Sequence, residues 1–304
     1  MIKTNDYVHA IKQLVNQLDR EAKIAAMKQL KGSTSSTLYE VSLEQGSWRE
    51  IVIRFFDHVE WLREEPDVPQ HEVASLQIAA NATIKTPAYI ALYEAAPIVG
   101  MPAIVMEKLP GGVVLDPGER HQWACQLARA LYAIHQLDAD AFPWEYASYH
   151  TEKDLNIPAW TDSPESWKQA IQIVRGRWPT FHSCLIHRDY HPANVLWQDG
   201  AVSGVVDWAN ACRGPAAVDL GHCRINLALL HDVETADAFL QAYESLSEGK
   251  FIYNAYWDLV SVFDFLLGPL QVYPGWLAFG MTGLTDKLME ERMDTYVKHI
   301  IANK

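Results

Sequence analysis

The sequence has few features of a secreted, membrane-spanning or zinc-binding protein. Its four cysteines, Cys125, Cys184, Cys212 and Cys223, match neither a disulfide framework nor a zinc motif, so we expect reduced, buried thiols. No apolar run reaches membrane-spanning length without a charge or a helix breaker, and no basic segment followed by an apolar core opens the chain. We therefore expect a cytoplasmic protein with no membrane partner.

Positive charge is also scarce. The 304 residues include 25 lysines and arginines and 38 aspartates and glutamates, which gives a formal net charge of −13. Nucleic acids are bound by basic stripes, and because the sequence has none, no nucleic-acid partner is expected. An acidic surface attracts cations over a long range, so the charge slightly favours a cationic substrate.

The chain is long enough for one large or two modest domains with real cores, since 49% of it is hydrophobic. It has no internal repeat, low-complexity tract or long linker. Apolar periodicity predicts helices over residues 5–20, 71–80, 122–137, 164–175, 219–230, 235–245 and 254–267, and strands over 49–56, 88–94 and 102–108.

The most informative stretch is residues 184–208, which reads as apolar strands with a polar loop in front of them. Asp199-Gly200 supplies the residues that a two-residue hairpin turn needs. The hairpin is expected to bring Asp189, Asn194 and Asp207 near one another. Their hard oxygen ligands suit a Mg²⁺-nucleotide with a hydroxyl to be deprotonated beside it.

These residues carry a resemblance. The pattern His187-x-Asp189-x-x-x-x-Asn194, with an Asp on the following strand, resembles the catalytic loop and metal-binding Asp of the protein-kinase-like phosphotransferases. Asp207-Trp208 and the segment at residues 214–221 are similar to the aminoglycoside phosphotransferase and choline kinase branch, which phosphorylates small molecules. A zinc pair of His187 and His191 is an alternative, but Pro192 denies the helix that would align both rings.

The resemblance implies an α+β fold with two lobes. Residues 1–107 would form a small amino lobe with an antiparallel sheet that covers the nucleotide, and residues 108–304 a larger, mainly helical carboxyl lobe that binds the acceptor. It also implies an enzyme that uses ATP or GTP and Mg²⁺ to phosphorylate a hydroxyl of a small molecule. Asp189 would be the catalytic base, and Asn194 and Asp207 the metal ligands.

In the amino lobe, the resemblance implies a nucleotide site. Ser33 and Ser35, in a small polar loop, would cover the phosphates, although such loops are commonly only turns. Arg54 stands where the family places a basic residue, usually Lys, to hold the phosphates, and Glu72 where its carboxylate partner is expected. Arg54 could instead snorkel from its strand, and Glu72 could be an exposed first-turn acid.

The segment at residues 106–112 matches the family's hinge. By position, the carbonyl of Glu107 and the amide of Leu109 would meet the adenine edge, with Met106 packed behind the base. These assignments follow from the resemblance, because backbone contacts do not depend on side-chain identity.

Three aspartates of the carboxyl lobe also stand out in the sequence. Asp219 resembles the family's structural Asp, which ties its helix to the catalytic loop. Asp258 and Asp264, with aromatic residues beside them in an otherwise apolar helix, would suit a cationic acceptor, but Trp257 and Phe263 could equally be part of the core. Aminoglycosides, choline-like amino alcohols, homoserine-like amino acids and sugars all remain candidate acceptors.

A nucleotide-binding pseudoenzyme or sensor is the alternative to an enzyme, and the oligomeric state is not indicated.

Overall fold

The computed structural model describes residues 3–33 and 35–304. The α-helices are α1 Thr4–Leu18, α2 Val59–Glu64, α3 Val68–Ala79, α4 Arg120–Ile134, α5 Pro164–Val174, α6 Ala216–Leu230, α7 Val233–Leu246, α8 Tyr256–Phe265, α9 Pro274–Ala278 and α10 Asp286–Asn303. The strands are β1 Lys23–Gln29, β2 Thr37–Gln45, β3 Glu50–Phe55, β4 Tyr89–Tyr93, β5 Ala103–Glu107, β6 Gly112–Val113, β7 Ser183–Ile186, β8 Val195–Gln198, β9 Ala201–Val205 and β10 Cys212–Pro215.

The amino-terminal part of the chain is built on an antiparallel sheet in the order β1-β2-β3-β5-β4. Side chains of β3 alternate between its two faces. Ile51, Ile53 and Phe55 pack with the apolar stripe of α1, whereas Val52 packs with residues of the helical part. Both faces of β3 are therefore covered, which explains its nearly continuous apolar sequence.

The carboxyl-terminal part is mainly helical and includes two small sheets, β6-β8-β9 and β7-β10. A close backbone approach joins the two parts at Gly204. A Cβ atom there would lie 2.8 Å from the carbonyl oxygen of Lys85 and 2.5 Å from Cδ1 of Leu109. The amide of Val205 also donates to the Lys85 carbonyl at 3.0 Å. Glycine is thus required where β9 meets the chain before β4 and after β5.

These elements confirm the predicted α+β fold, with an antiparallel sheet first and helices after it. The predicted hairpin is also confirmed, because Asp199 and Gly200 have φ values of 52° and 79° between β8 and β9. A lobe boundary between residues 107 and 108 remains a prediction. Across residues 3–33 and 35–304, no helix combines the length and apolarity that crossing a membrane requires.

The structure also departs from the predicted elements. Helix α3 begins at Val68 rather than at residue 71, because Pro69 occupies its first turn, where proline is well tolerated. Residues 212–215, which no predicted strand covers, form β10 by antiparallel pairing with β7. The sequence Cys-Arg-Gly-Pro has no strand pattern of its own, so only its tertiary partner makes it a strand.

Candidate active site

The loop between β7 and β8 is tied to helix α6. The backbone N–H groups of His187 and Arg188 each donate to a different carboxylate oxygen of Asp219, both at 2.7 Å. Arg188 adopts a φ of 69°, which is costly for a residue with a side chain and persists only where its surroundings enforce it. Asp219 therefore fixes the path of the chain immediately before Asp189, as predicted for a structural aspartate.

Three side chains surround the carboxylate of Asp189. Nδ2 of Asn194 donates to its Oδ2 at 3.2 Å. Nε2 of His222 lies 3.3 Å from Oδ1, and Nε2 of His191 lies 3.6 Å from the same oxygen. Burial acts to raise the pKa of Asp189, but the imidazoles of His191 and His222 hold that pKa well below its usual range. At neutral pH the group is a carboxylate, which can accept a hydrogen bond from a hydroxyl.

The hairpin brings Asn194 and Asp207 to one end of strands β8 and β9. The amide of Val206 donates to the carbonyl of Asn194 at 2.9 Å, and Asp207 follows directly. Asp207 has a φ of 68°, a second strained backbone position in the cleft. The three residues predicted to lie together are thus joined through Asn194, whose side chain contacts Asp189 and whose backbone pairs beside Asp207.

Arg54 links the sheet to both sides of the cleft. Its Nη1 donates to Oε1 of Glu72 at 3.0 Å and to Oδ1 of Asp207 at 2.7 Å. The side chains of Arg54 and Glu72 are almost fully buried, whereas 34% of the Asp207 side chain is exposed. Burial raises the pKa of Glu72 to about 6, although Arg54 opposes that shift. The predicted Arg54–Glu72 pair is present, and the contact with Asp207 adds to it.

The oxygen atoms of Asn194 and Asp207 fit a Mg²⁺ ion. The side-chain amide nitrogen of Asn194 donates to the carbonyl and the carboxylate of Asp189, so Oδ1 of Asn194 is the atom left to bind a cation. Asp207 keeps a second carboxylate oxygen beyond the one bound by Arg54. Within the described ranges, no three His, Cys, Asp or Glu side chains group as a metal cage. Mg²⁺ typically takes only one or two protein oxygens together with substrate phosphates, so this sparse set suits it.

The hinge residues lie at the edge of β5. The backbone amides of Glu107 and Lys108 donate hydrogen bonds to the carbonyls of Ala88 and Glu50, at 2.9 and 3.2 Å respectively. Met106 is buried beside the cleft, and Leu109 packs over β9. This arrangement is compatible with the predicted nucleotide contacts of Met106, Glu107 and Leu109, which remain predictions.

The loop between β1 and β2 reaches across the cleft. Oγ of Ser33 donates to the carbonyl of Ser36 at 2.6 Å, so this hydroxyl supports the turn itself. A Cβ atom on Gly32 would lie 2.6 Å from the ring of Phe279, which follows α9. The loop that carries Ser33 and Ser35 therefore touches the helical part of the chain. Phosphate contacts by these two serines remain predictions.

The carboxylates of α8 belong to internal ion pairs. Asp258 is 1% exposed, pairs with Arg224 and accepts hydrogen bonds from two tyrosine hydroxyls. Asp264 lies 2.7 Å from Nδ1 of His150 and 3.4 Å from Nη2 of Arg188. Of the two interpretations that the sequence left open, the structure supports the core one, because Trp257 and Phe263 are buried and these acids have internal partners.

His222 is the residue near Asp189 that the sequence did not indicate. It lies on α6, three residues after Asp219 and on the same face of the helix. His191 stands inside the motif itself, but the sequence does not indicate that it lies beside Asp189. The three-residue spacing from Asp219 could have indicated His222, but only if Asp219 was already known to bind the catalytic loop.

Replacing Asp219 with Asn should destabilise the fold, because the new amide faces two buried backbone donors. We expect a loss of about 3 kcal/mol in the free energy of unfolding at pH 7. Burial acts to raise the pKa of Asp219, but His135 and the neighbouring donors hold it below the usual value. A lowered folded-state pKa contributes stability above the unfolded value of about 4 and loses it below. The difference from wild type should therefore shrink in urea unfolding as the pH falls below about 4.

Asp116→Asn, at an exposed position, is the matched control for this variant and should unfold like the wild type. Equal stability of Asp219→Asn and wild type at pH 7 would contradict the role assigned to this carboxylate.

A model of the phosphotransferase enzyme family matches residues 26–256, which is more than half of the chain. Among curated proteins, a homoserine kinase of Methylobacterium nodulans is 29% identical over 178 residues, covering 52% of this chain and 53% of that protein. The matches to the first three homoserine kinases span between 27% and 53% of their length.

Solved structures of the same fold cover nearly the whole chain. A putative aminoglycoside phosphotransferase from Ralstonia eutropha superposes with a TM-score of 0.65 at 15% identity, covering 97% of each chain. A thermostable aminoglycoside phosphotransferase variant, solved with ADP and hygromycin B, superposes with a TM-score of 0.60 at 13% identity and covers 95% of this chain and 98% of its own. These findings confirm the resemblance that the catalytic loop suggested.

Proposed function

This chain belongs to the phosphotransferase enzyme family, and we propose that it transfers the γ-phosphate of ATP or GTP to a hydroxyl group of a small molecule. The observation that carries the proposal is the meeting of Asp189, Asn194 and Asp207 with the buried Arg54–Glu72 pair in one cleft. We place the reaction in the cytoplasm, where nucleoside triphosphates are available.

On this proposal, the nucleotide lies between the sheet and the hairpin β8-β9. Its base meets the hinge at Glu107 and Leu109, and its phosphates meet Arg54. Nε of Arg54 is buried with no hydrogen-bond partner among the described residues, so the guanidinium keeps donor capacity for phosphate oxygens. Asn194 and Asp207 would hold Mg²⁺, which neutralises charge on the phosphates when bound.

Asp189 is proposed to accept the proton of the acceptor hydroxyl as its oxygen attacks the γ-phosphorus. The lowered pKa makes this carboxylate a weak base, so its main contribution is to orient the hydroxyl for in-line attack and to take the proton late. Positioning and electrostatics then supply most of the rate, since phosphoryl transfer asks for little covalent chemistry.

We propose that the acceptor is small and resembles homoserine rather than an aminoglycoside. Several curated proteins that this chain matches are homoserine kinases. Asp258 and Asp264, which would have suited a cationic acceptor, are instead paired with residues of the protein itself. An aminoglycoside has several ammonium groups, and each would need a carboxylate or carbonyl partner to replace its water.

Acceptors matched in size would test this assignment. L-homoserine, 4-hydroxybutyrate and 3-aminopropan-1-ol share a primary hydroxyl and differ in whether a carboxylate, an amine or both accompany it. With Mg²⁺ and ATP or GTP, we expect kcat/KM to be highest for L-homoserine and to exceed that for kanamycin at least about tenfold, or 1.4 kcal/mol. The measurement is coupled release of the nucleoside diphosphate, repeated with Asp189→Ala as the blank.

Preference for kanamycin would overturn the acceptor class while leaving the phosphotransferase proposal intact. Mg²⁺-dependent nucleotide binding with no acceptor-stimulated turnover in any of these reactions would instead favour the nucleotide sensor.

A further inference from the structure

Helix α6 holds the catalytic loop at two points. Asp219 binds the backbone amides of His187 and Arg188, and one turn later His222 reaches the side chain of Asp189. Residues three apart lie on one face of an α-helix, so a single rigid element sets both contacts. The orientation of the Asp189 carboxylate thus depends on α6 as well as on its own loop.

The position of His222 is itself fixed by close packing between α6 and α8. A Cβ atom on Gly221 would lie 2.5 Å from the carbonyl oxygen of Trp257, so only glycine allows this approach. The His222 ring then packs against Phe265 of α8, with ring centroids 5.5 Å apart. The imidazole cannot move freely away from Asp189 without opening this helix pair.

The two imidazoles near Asp189 are not equivalent. His191 is buried, and that burial lowers its pKa to about 4. Its Nε2 lies 3.2 Å from the amide nitrogen of Asn194 and 3.6 Å from Asp189, so Asn194 is its nearer partner. His222 is closer to Asp189, at 3.3 Å, and 18% of its side chain is exposed. Of the two histidines, His222 is therefore the one nearer to Oδ1 of Asp189.

We propose that His222 is a positioning residue for phosphotransfer, which holds Oδ1 of Asp189 while Asn194 holds Oδ2. This inference rests on the proposed function of Asp189. With both oxygens anchored, the carboxylate plane is set before the acceptor arrives, and the remaining lone pairs face the incoming hydroxyl. Without His222, the carboxylate can rotate about its Cβ–Cγ bond, and the fraction of productive encounters falls.

The kinetic test compares His222→Leu with His222→Gln. Leucine removes the ring nitrogen, whereas the amide nitrogen of glutamine can occupy nearly the same place. We expect His222→Leu to lower kcat roughly 10–100-fold, the scale of a misplaced catalytic group, with the KM for nucleotide unchanged. His222→Gln should recover most of that loss. His182→Leu makes the same change at an exposed position and should behave like the wild type.

Wild-type kcat in His222→Leu would overturn the inference. Equal losses in the leucine and glutamine variants, with the KM for nucleotide rising in step, would also overturn it, because that pattern reports damage to the fold rather than lost positioning.

A second measurement does not depend on activity. In protein labelled with ¹⁵N-histidine, the Nε2 resonance of His222 should shift when Asp189 is replaced by Asn, and the resonance of His182 should not. An unchanged His222 resonance would overturn the contact and with it the inference. If the His222 resonance shifts clearly but the wild-type protein transfers no phosphate to any acceptor, the contact would stand and the proposed function would be contradicted.

Discussion

Replacing Asp189 with alanine should lower turnover about 10²–10⁴-fold, the usual contribution of a positioned general base. The affinity for nucleotide should be almost unchanged, because the contacts proposed for the base and phosphates come from the hinge, Arg54, Asn194 and Asp207. The measurement pairs steady-state kinetics with direct titration of the nucleotide in the presence of Mg²⁺.

A control variant tests whether an Asp→Ala change by itself lowers turnover. Asp116→Ala makes the same change at an exposed position with no proposed contact to nucleotide or acceptor, and should retain nearly wild-type turnover. Turnover by Asp189→Ala close to that of wild type would rule out the assigned role of this residue, whatever the nucleotide titration shows.

Replacing Arg54 with methionine should remove about 3–5 kcal/mol from the free energy of unfolding, as expected when one member of a buried ion pair is deleted. Glu72 is 1% exposed and would then hold a buried charge without its cation. Asp207 is less affected, since a third of its side chain remains in contact with solvent. Chemical denaturation monitored by tryptophan fluorescence would measure the loss.

The size of this loss should depend on pH. Burial already raises the pKa of Glu72 to about 6, and without Arg54 the pKa should rise further. A raised folded-state pKa means that the protonated acid is favoured in the folded protein, and its advantage is lost as the pH rises through that value. The destabilisation in Arg54→Met should therefore be larger at pH 8 than at pH 5.

A double variant separates the ion pair from simple packing. Arg54→Met combined with Glu72→Met removes both charges and should recover much of the stability lost in the single variant, because a buried ion pair can often be replaced by apolar groups at little cost. Arg49→Met, at an exposed position before β3, should be close to wild type. A single Arg54→Met variant as stable as wild type at pH 8 would contradict the buried pairing.

The sequence could predict which residues meet at the centre of the candidate site because that part is local. Asp189, Asn194 and Asp207 lie within 19 residues, and the Asp199-Gly200 turn leaves the hairpin little choice of register. Arg54 could be recognised because an arginine in the middle of an apolar strand needs a partner, and Glu72 stood at a helical position that could supply one.

Other parts of the site depend on tertiary packing that no local pattern encodes. His222 reaches Asp189 only because Gly221 lets α6 and α8 approach closely. Asp258 looked like a free carboxylate in the sequence, yet Arg224, 34 residues earlier, neutralises it inside the core. The short strand β10 likewise exists only through its pairing with β7.

The most direct test of the central claim is the identity of the phosphorylated product. Wild-type protein would be incubated with Mg²⁺, ATP and L-homoserine, and the reaction followed by ³¹P NMR. We predict a phosphomonoester resonance that grows in step with ADP, and its absence with Asp189→Ala. ADP accompanied only by inorganic phosphate, or a phosphomonoester formed equally well by Asp189→Ala, would contradict the claim that this cleft transfers phosphate to an acceptor hydroxyl through Asp189.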